Sequence, residues 1–285
     1  MTTPGQTDTS FSDATLARLP ELAERAHQAA LAAGAMAMGH FRPGAATTAQ
    51  VWTKQGGSPV TEADTSVDSF LKVSCTMALP EAAWLSEETA DDPARIGKSF
   101  VWVVDPIDGT RAFMAGLADW CVCVALLRDN EPILGVVHAP ALGVTYLATA
   151  GGGAFRNGAR LDLDGSLTAA LPRIAGPKPM LDAVSRHLAI DPQPKVPSLA
   201  LRLARVADGA IDGGLVSPDS RDWDLAAADL VLREAGGLVS GLDGMPLAYN
   251  RPRPVHATLV AAPLAFHARL LGAATALREP FVSRV

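Results

Sequence analysis

The chain reads as an α/β protein in two halves, and the order of its apolar patterns predicts this. Through residues 13–165 two helical patterns precede a series of apolar runs with strand-like spacing. Through residues 166–285 short apolar runs alternate with helical patterns, the rhythm of an α/β unit. A third feature stands where an apolar run of the first half ends: Asp105-Pro106-Ile107-Asp108-Gly109-Thr110. Asp, Pro and Gly are ordinary turn residues, but a turn does not require two acids three residues apart after a buried strand. Such charges repel unless a cation lies between them, and hard divalent cations such as Mg²⁺ take oxygen ligands. The stretch is a candidate carboxylate metal site.

The bulk properties narrow the function. A chain of 285 residues is long enough for one large domain or two modest ones. A hydrophobic fraction of 48% with 19% charged residues fits a soluble globular protein. The net charge of -6 and a pI near 5.5 argue against general binding to nucleic acid or to anionic membranes. Cys75, Cys121 and Cys123 form no metal-binding pattern. Cys121 and Cys123 share one face of an expected strand and read as buried thiols, and the odd count suits a reducing cytoplasm. Neither a signal peptide nor a membrane span is expected, because the nearly uncharged stretch 132–148 is broken by Gly135, Pro140 and Gly143 into two strands. Residues 1–12, rich in Thr and Ser, read as a disordered tail.

In order along the chain, residues 14–41 predict a long amphipathic helix, stopped by Arg42-Pro43-Gly44. After a Gly-rich loop at 54–59, Thr61 is placed to cap a helix running to about residue 79. Glu62, Asp64 and Asp68 lie in its first turns, where acids are favoured by the helix dipole alone. The short run 83–85 leads into Glu87-Glu88, so a second strand end presents acids at one edge. Gly97-Lys98-Ser99 resembles the end of a P-loop, but that motif's first glycine would fall at Asp92, and the reading is rejected. Residues 119–148 predict an antiparallel meander of three strands, and Asn157-Gly158 a tight hairpin.

Past about residue 165 the expected strands are 171–175, 211–216, 237–239 and 258–262, with helices at 179–188, 198–208, 222–235 and 264–277. Residues 192–197 read as a loop. In the third of these helices Asp222 is a natural N-cap, Asp224 falls in the first turn, and Gly236-Gly237 stops the helix. Capping explains one of those acids and not the second.

Four motifs in order resemble the inositol monophosphatase superfamily of Mg²⁺-dependent, lithium-sensitive phosphatases. They are Val60-Thr61-Glu62-Ala63-Asp64, Glu87-Glu88, Asp105-Pro106-Ile107-Asp108-Gly109-Thr110, and Trp223-Asp224 with the trailing Glu234-Ala235-Gly236-Gly237. The resemblance spans residues 14–277 and implies a layered α/β/α/β/α sandwich. It implies that Glu87, Asp105, Asp108, Asp224 and the carbonyl of Ile107 bind two or three Mg²⁺ ions. It further implies that Asp64 with Thr110 positions or deprotonates the attacking water, that Glu87 also serves the chemistry, and that Gly109 and Thr110 offer N–H groups to the phosphate. Lys54 matches a family lysine near the site. The implied reaction is hydrolysis of a phosphate monoester by metal-activated water, with no covalent intermediate. The chain has no Gly-x-Ser-x-Gly, no His-Glu-x-x-His and no Cys beside a His.

Within that family the residues lean towards the 3′(2′),5′-bisphosphate nucleotidases. Arg111-Ala112-Phe113 lacks the asparagine that inositol-specific members carry before the phenylalanine; a basic Arg111 resembles the bisphosphate nucleotidases and the histidinol-phosphate phosphatases, and suits a second phosphate. Ser217 stands where inositol-specific members place a glutamate, and Ser198 follows Pro197 where they have glycine, leaving Ser198 as an expected substrate contact. The expected substrate is adenosine 3′,5′-bisphosphate, with inositol 1-phosphate and histidinol phosphate as alternatives. A catalytically silent binding relative is the remote alternative. The expected partner is a small phosphorylated metabolite, without nucleic acid or membrane. The family often forms homodimers, and no residue of this sequence demonstrates one.

Overall fold

Alanines and a leucine recur one helical turn apart after residue 19, and Leu22, Ala26, Ala30, Ala33 and Ala37 form the buried stripe of helix α1 (Leu19–Met38). The computed structural model describes residues 15–54, 57–163 and 171–278. The tail expected at 1–12 and the half-to-half boundary expected at about residue 165 lie outside the described residues.

A short hairpin, β1 (Val51–Thr53) with β2 (Pro59–Thr61), feeds helix α2 (Glu62–Ala78). The expected cap is present: the Thr61 hydroxyl accepts from the Ala63 and Asp64 N–H groups, while Asp64 reaches back to the Thr61 N–H. Strands β3 (Ala83–Ser86), β4 (Phe100–Asp108), β5 (Cys121–Arg128), β6 (Glu131–Ala139), β7 (Val144–Thr149), β8 (Gly153–Arg156) and β9 (Ala159–Leu161) then form one seven-stranded sheet in sequential order. A five-residue helix, α3 (Thr110–Met114), follows β4. β3 runs parallel to β4 and the later neighbours are antiparallel, so the expected meander of β5, β6 and β7 lies at the sheet's centre.

In the second half come β10 (Arg173–Ala175), α4 (Lys178–Ser185), β11 (Asp191–Pro192), α5 (Leu199–Ala207), β12 (Gly213–Val216), β13 (Ser220–Arg221), α6 (Asp222–Glu234), β14 (Gly237–Gly241), β15 (Val255–His256), β16 (Leu259–Pro263) and α7 (Leu264–Ala274). Five of the strands form a mixed sheet in the order β11-β10-β12-β16-β14. The stretch 192–197, expected to be loop, starts with Pro192 paired to Ile174 at that sheet's edge.

Side-chain alternation stacks these elements into layers. Trp102, Val104, Val122, Val124, Leu126, Leu134 and Val136 face α1 and α2. Val101, Val103, Cys121, Cys123, Ala125 and Val137 face the other way, onto α5 and α6. The five-stranded sheet covers the far side of those two helices, and Met180, Val184, Phe266 and Leu270 of α4 and α7 close its outer face. The result is the five-layer α/β/α/β/α sandwich. No helix among the described residues is long and apolar enough to cross a membrane.

One close approach fixes the central layer. A Cβ on Gly135 of β6 would lie 2.6 Å from the carbonyl oxygen of Ala227 in α6, so glycine lets the helix backbone rest on the strand. Gly135→Ala is expected to destabilise the protein by about 1–3 kcal/mol through overpacking. Urea denaturation measures the loss.

Candidate active site

A regular strand turns residues i and i+3 to opposite faces. Alternation along β4 puts Asp105 on the side of Val101 and Val103, towards the central helices, and would send Asp108 the other way. The structure interrupts that alternation. Asp105 pairs with Cys123 and Asp108 with Cys121, so three steps on β4 oppose two on β5. This bulge, with Pro106 inside it, returns Asp108 to the side of Asp105. The Ile107 N–H donates to Asp105 Oδ1 at 3.0 Å and holds the turn in shape.

Both aspartates meet the start of the central helices. Ser198 caps α5, and Asp108 Oδ2 accepts from Ser198 Oγ at 2.5 Å and from the Ala200 N–H at 2.7 Å. Asp224 is the third residue of α6 and accepts from the Arg221 N–H at 2.7 Å. Carboxylate oxygens of Asp105, Asp108 and Asp224 lie within 4.8 Å of one another. Asp222, expected as the N-cap, is instead the first helical residue, with Arg221 at the cap. Its carboxylate is drawn away by His256 Nε2 at 2.7 Å and the Asn250 N–H at 2.7 Å, leaving Asp224 to cap the helix.

Glu87 follows the end of β3 beside this cluster, and Lys54 spans the pair next to it, 2.8 Å from Glu87 Oε1 and 2.7 Å from Glu88 Oε1. Burial pushes the Asp105 carboxyl well above the usual range, and the charges of Glu87, Asp108 and Asp224 add to the effect. Burial likewise raises Asp224, reinforced by Asp108. Asp108 is raised by burial in spite of the hydrogen bonds it accepts. Burial lifts Glu88 to about 7. For Lys54 burial opposes the charge, but Glu87 and Glu88 outweigh it and raise its pKa. One lysine cannot neutralise this many acids. An all-oxygen, net-negative cluster fits a hard divalent cation, and Glu87, Asp105, Asp108, Asp224 and the Ile107 carbonyl are the groups that could hold one.

Asp64 is buried at the same edge. Its Oδ2 accepts from Thr61 N at 2.7 Å and Thr61 Oγ1 at 2.5 Å, while its Oδ1 lies 3.2 Å from Thr110 Oγ1. The Thr110 hydroxyl is also 3.1 Å from the Ile107 carbonyl, so its single proton has two competing acceptors. Gly109 stands between Asp108 and Thr110 at φ +96°, where a Cβ would lie 3.0 Å from the Asp119 carbonyl oxygen.

Other expected residues lie elsewhere. Ser198, expected to touch substrate, is fully buried behind Asp108 with its hydroxyl occupied by Asp108 and the Leu201 N–H. Arg111 is exposed on α3. The acid of the last motif, Glu234, is not part of the cluster: its two oxygens accept from the Gly151 and Gly153 N–H groups and clamp the glycine turn before β8. Asp68 is held by the hydroxyls of Ser86 and Thr89. A cleft of about 510 Å³ opens from Asp224 along the second half, lined by Lys178, Lys195, Arg202, Ser217 and Asp219. Sequence reasoning missed its two lysines and Arg202, which stand outside the four motifs.

The family definition headed Inositol monophosphatase family matches residues 18–278, so the chain belongs to that family and is a phosphatase that hydrolyses phosphate monoesters. A 3′(2′),5′-bisphosphate nucleotidase CysQ of Aggregatibacter actinomycetemcomitans is 34% identical over 209 residues, 70% of this chain and 77% of the relative. A histidinol-phosphatase of Mycobacterium tuberculosis is 36% identical over 207 residues, 68% of this chain and 78% of the relative. The extragenic suppressor protein suhB of Bartonella henselae superposes with a TM-score of 0.77 at 25% identity, covering 89% of this chain and 98% of that one.

Proposed function

We propose that this phosphatase is Mg²⁺-dependent and removes a phosphate from adenosine 3′,5′-bisphosphate. The observation that carries the substrate is the basic lining of the cleft beside Asp224. Lys178, Lys195 and Arg202 line one space with Asp224 of the acidic cluster. Arg202 is buried, donates to the Leu215 and Val196 carbonyls, and keeps its Nε without a partner. Lys178 holds Asp182 at 2.9 Å on the exposed rim, which leaves Lys195 the more available cation. A substrate seated with one phosphate at the acidic cluster would present its second phosphate to the two lysines, with the buried Arg202 adding positive charge from behind. Inositol 1-phosphate has no second anion to offer. Histidinol phosphate is the rival set by the 36% identical relative, and its ammonium group would face two lysines.

Glu87, Asp105, Asp108, Asp224 and the Ile107 carbonyl would hold the Mg²⁺ ions of this site. Once bound, the ions supply a lowered pKa for an attacking water and neutralise charge on the leaving oxygen. The chain's own part is proton handling and positioning. With the Ile107 carbonyl engaged, the Thr110 proton is left to Asp64, and the Thr110 lone pairs are free to accept from water. Backbone N–H groups of Gly109 and Thr110 orient the phosphate, and Lys54 steadies Glu87. Arg111 is assigned to the substrate's outer side.

Phosphate release from the three substrates, with and without Mg²⁺, tests this reading. Lys178→Ala combined with Lys195→Ala should raise KM for the bisphosphate about 30-fold, each of the two lost charge-assisted contacts being worth roughly 1 kcal/mol at a partly exposed site. The rate with inositol 1-phosphate should hardly change. A preference for inositol or histidinol phosphate would overturn the assignment of substrate.

A further inference from the structure

Behind Asp108 lies a group of donors that the hydrolysis does not use. Cys121 Sγ and Cys123 Sγ are 3.6 Å apart on one face of β5. Asp108 Oδ2 lies 3.9 Å from Cys121 Sγ, and Ser198 Oγ is 3.2 Å from that sulfur and 2.5 Å from the same carboxylate oxygen. Ligand atoms of Asp108, Cys121 and Cys123 all fall within 4.8 Å of one another. We propose that Asp108, Cys121 and Cys123, with Ser198 as fourth donor, form a separate site for a thiophilic divalent cation such as Zn²⁺ or Cd²⁺, and that its occupation inhibits the phosphatase by capturing Asp108.

The spacing supports it. Two sulfurs on one tetrahedral zinc, each bonded at about 2.3 Å, stand roughly 3.8 Å apart, close to the separation found here. The fourfold set of two sulfurs and two oxygens is tetrahedral in number and soft in character, whereas the cluster on the other side of Asp108 offers oxygen alone. Ligand softness therefore sorts the ions: Mg²⁺ keeps to the carboxylates and a thiophilic ion moves one layer deeper. Both sulfurs are fully buried and Asp108 nearly so, which makes the Asp108 side the entry route and predicts a slow onset. Binding displaces the two thiol protons to solvent, and no electron is transferred.

The inhibitory half of the proposal rests on the phosphatase reading; the binding half does not. The full chain is titrated with Cd²⁺, following the ultraviolet thiolate-to-metal band and, separately, phosphate release at saturating Mg²⁺. One Cd²⁺ per chain with the band, and loss of activity along the same curve, is the expected result. In Cys121→Ala/Cys123→Ala the band should vanish and the Cd²⁺ needed for half-inhibition should rise at least about 10-fold, the lower end of what a weakened metal site loses. Should the double variant fold poorly, Cys123→Val, with a β-branched residue suited to a strand, carries the same comparison. Cys75→Ala should leave both readings unchanged. A band that survives the loss of Cys121 and Cys123 would overturn the site, whatever the activity does. A band that forms in the wild type without loss of activity would overturn the inhibition.

Discussion

Asp105→Asn should lower turnover by about 1,000-fold or more, roughly 4 kcal/mol of transition-state stabilisation, while the metal-free protein becomes no less stable. The two effects have one origin. Asp105 is buried, and its charge is opposed by burial first and then by Glu87, Asp108 and Asp224. Without a cation, an ionised Asp105 costs folding free energy, and a neutral amide of the same shape removes that cost. Asn retains an oxygen to accept from the Ile107 N–H at the position of Oδ1, so the bulge in β4 survives. The sign with pH follows. A carboxyl raised in the folded state binds its proton more tightly folded than unfolded, so metal-free stability falls as pH rises above the ordinary carboxylate range. Asp105→Asn should flatten that fall. Mg²⁺ should raise the melting temperature of the wild type and raise that of the variant less. Calorimetry with and without Mg²⁺, beside phosphate release, reads all of this. Activity retained in Asp105→Asn would remove this residue from the metal ligands.

The elements of this fold were legible because their signals are local. Thr61 and Asp64 announce a capping box within four residues, and α1 announces itself by buried alanines one turn apart. The sheet's order followed from short connections, with Asn157-Gly158 closing the last hairpin. The candidate ligands were legible as acids at strand and helix ends. Their convergence was implied by the family resemblance and not by the local pattern, because alternation alone sends Asp105 and Asp108 to opposite faces and only the bulge reunites them. The role of Asp222 was misread for a related reason. His256, 34 residues away, competes for its carboxylate, and no local pattern reveals that. Ser198 was placed at the substrate by the family resemblance at Pro197-Ser198, while the packing of α5 against β5 puts it behind Asp108. Lys178 and Lys195 reach one cleft from separate connections, a juxtaposition that arises only in three dimensions.

Asp64→Asn should lower kcat by about 100- to 10,000-fold, the usual weight of a general acid–base group, with KM and melting temperature little changed. The split follows from the two oxygens of Asp64, which serve different masters. Oδ2 takes the Thr61 N–H and hydroxyl and completes the cap of α2. Among the described residues, Oδ1 takes its hydrogen bond from Thr110 alone. An asparagine that keeps its carbonyl on the Thr61 N–H preserves the cap and turns its NH₂ towards Thr110. The acceptor for the Thr110 proton is then replaced by a donor, and that proton is forced onto the Ile107 carbonyl, 3.1 Å away. This would cancel the proposed proton path from water through Thr110 and set the hydroxyl in competition with any cation for the same carbonyl. The proposed Mg²⁺ dependence should therefore shift to higher concentration in Asp64→Asn. Thr110→Val, which removes the hydroxyl and leaves the carbonyl free, should lose kcat without that shift. Steady-state kinetics over a Mg²⁺ series in both variants separates the two effects. Equal Mg²⁺ requirements in both would show that Thr110 does not contend for Ile107, and an unchanged kcat in Asp64→Asn would remove Asp64 from the proton path.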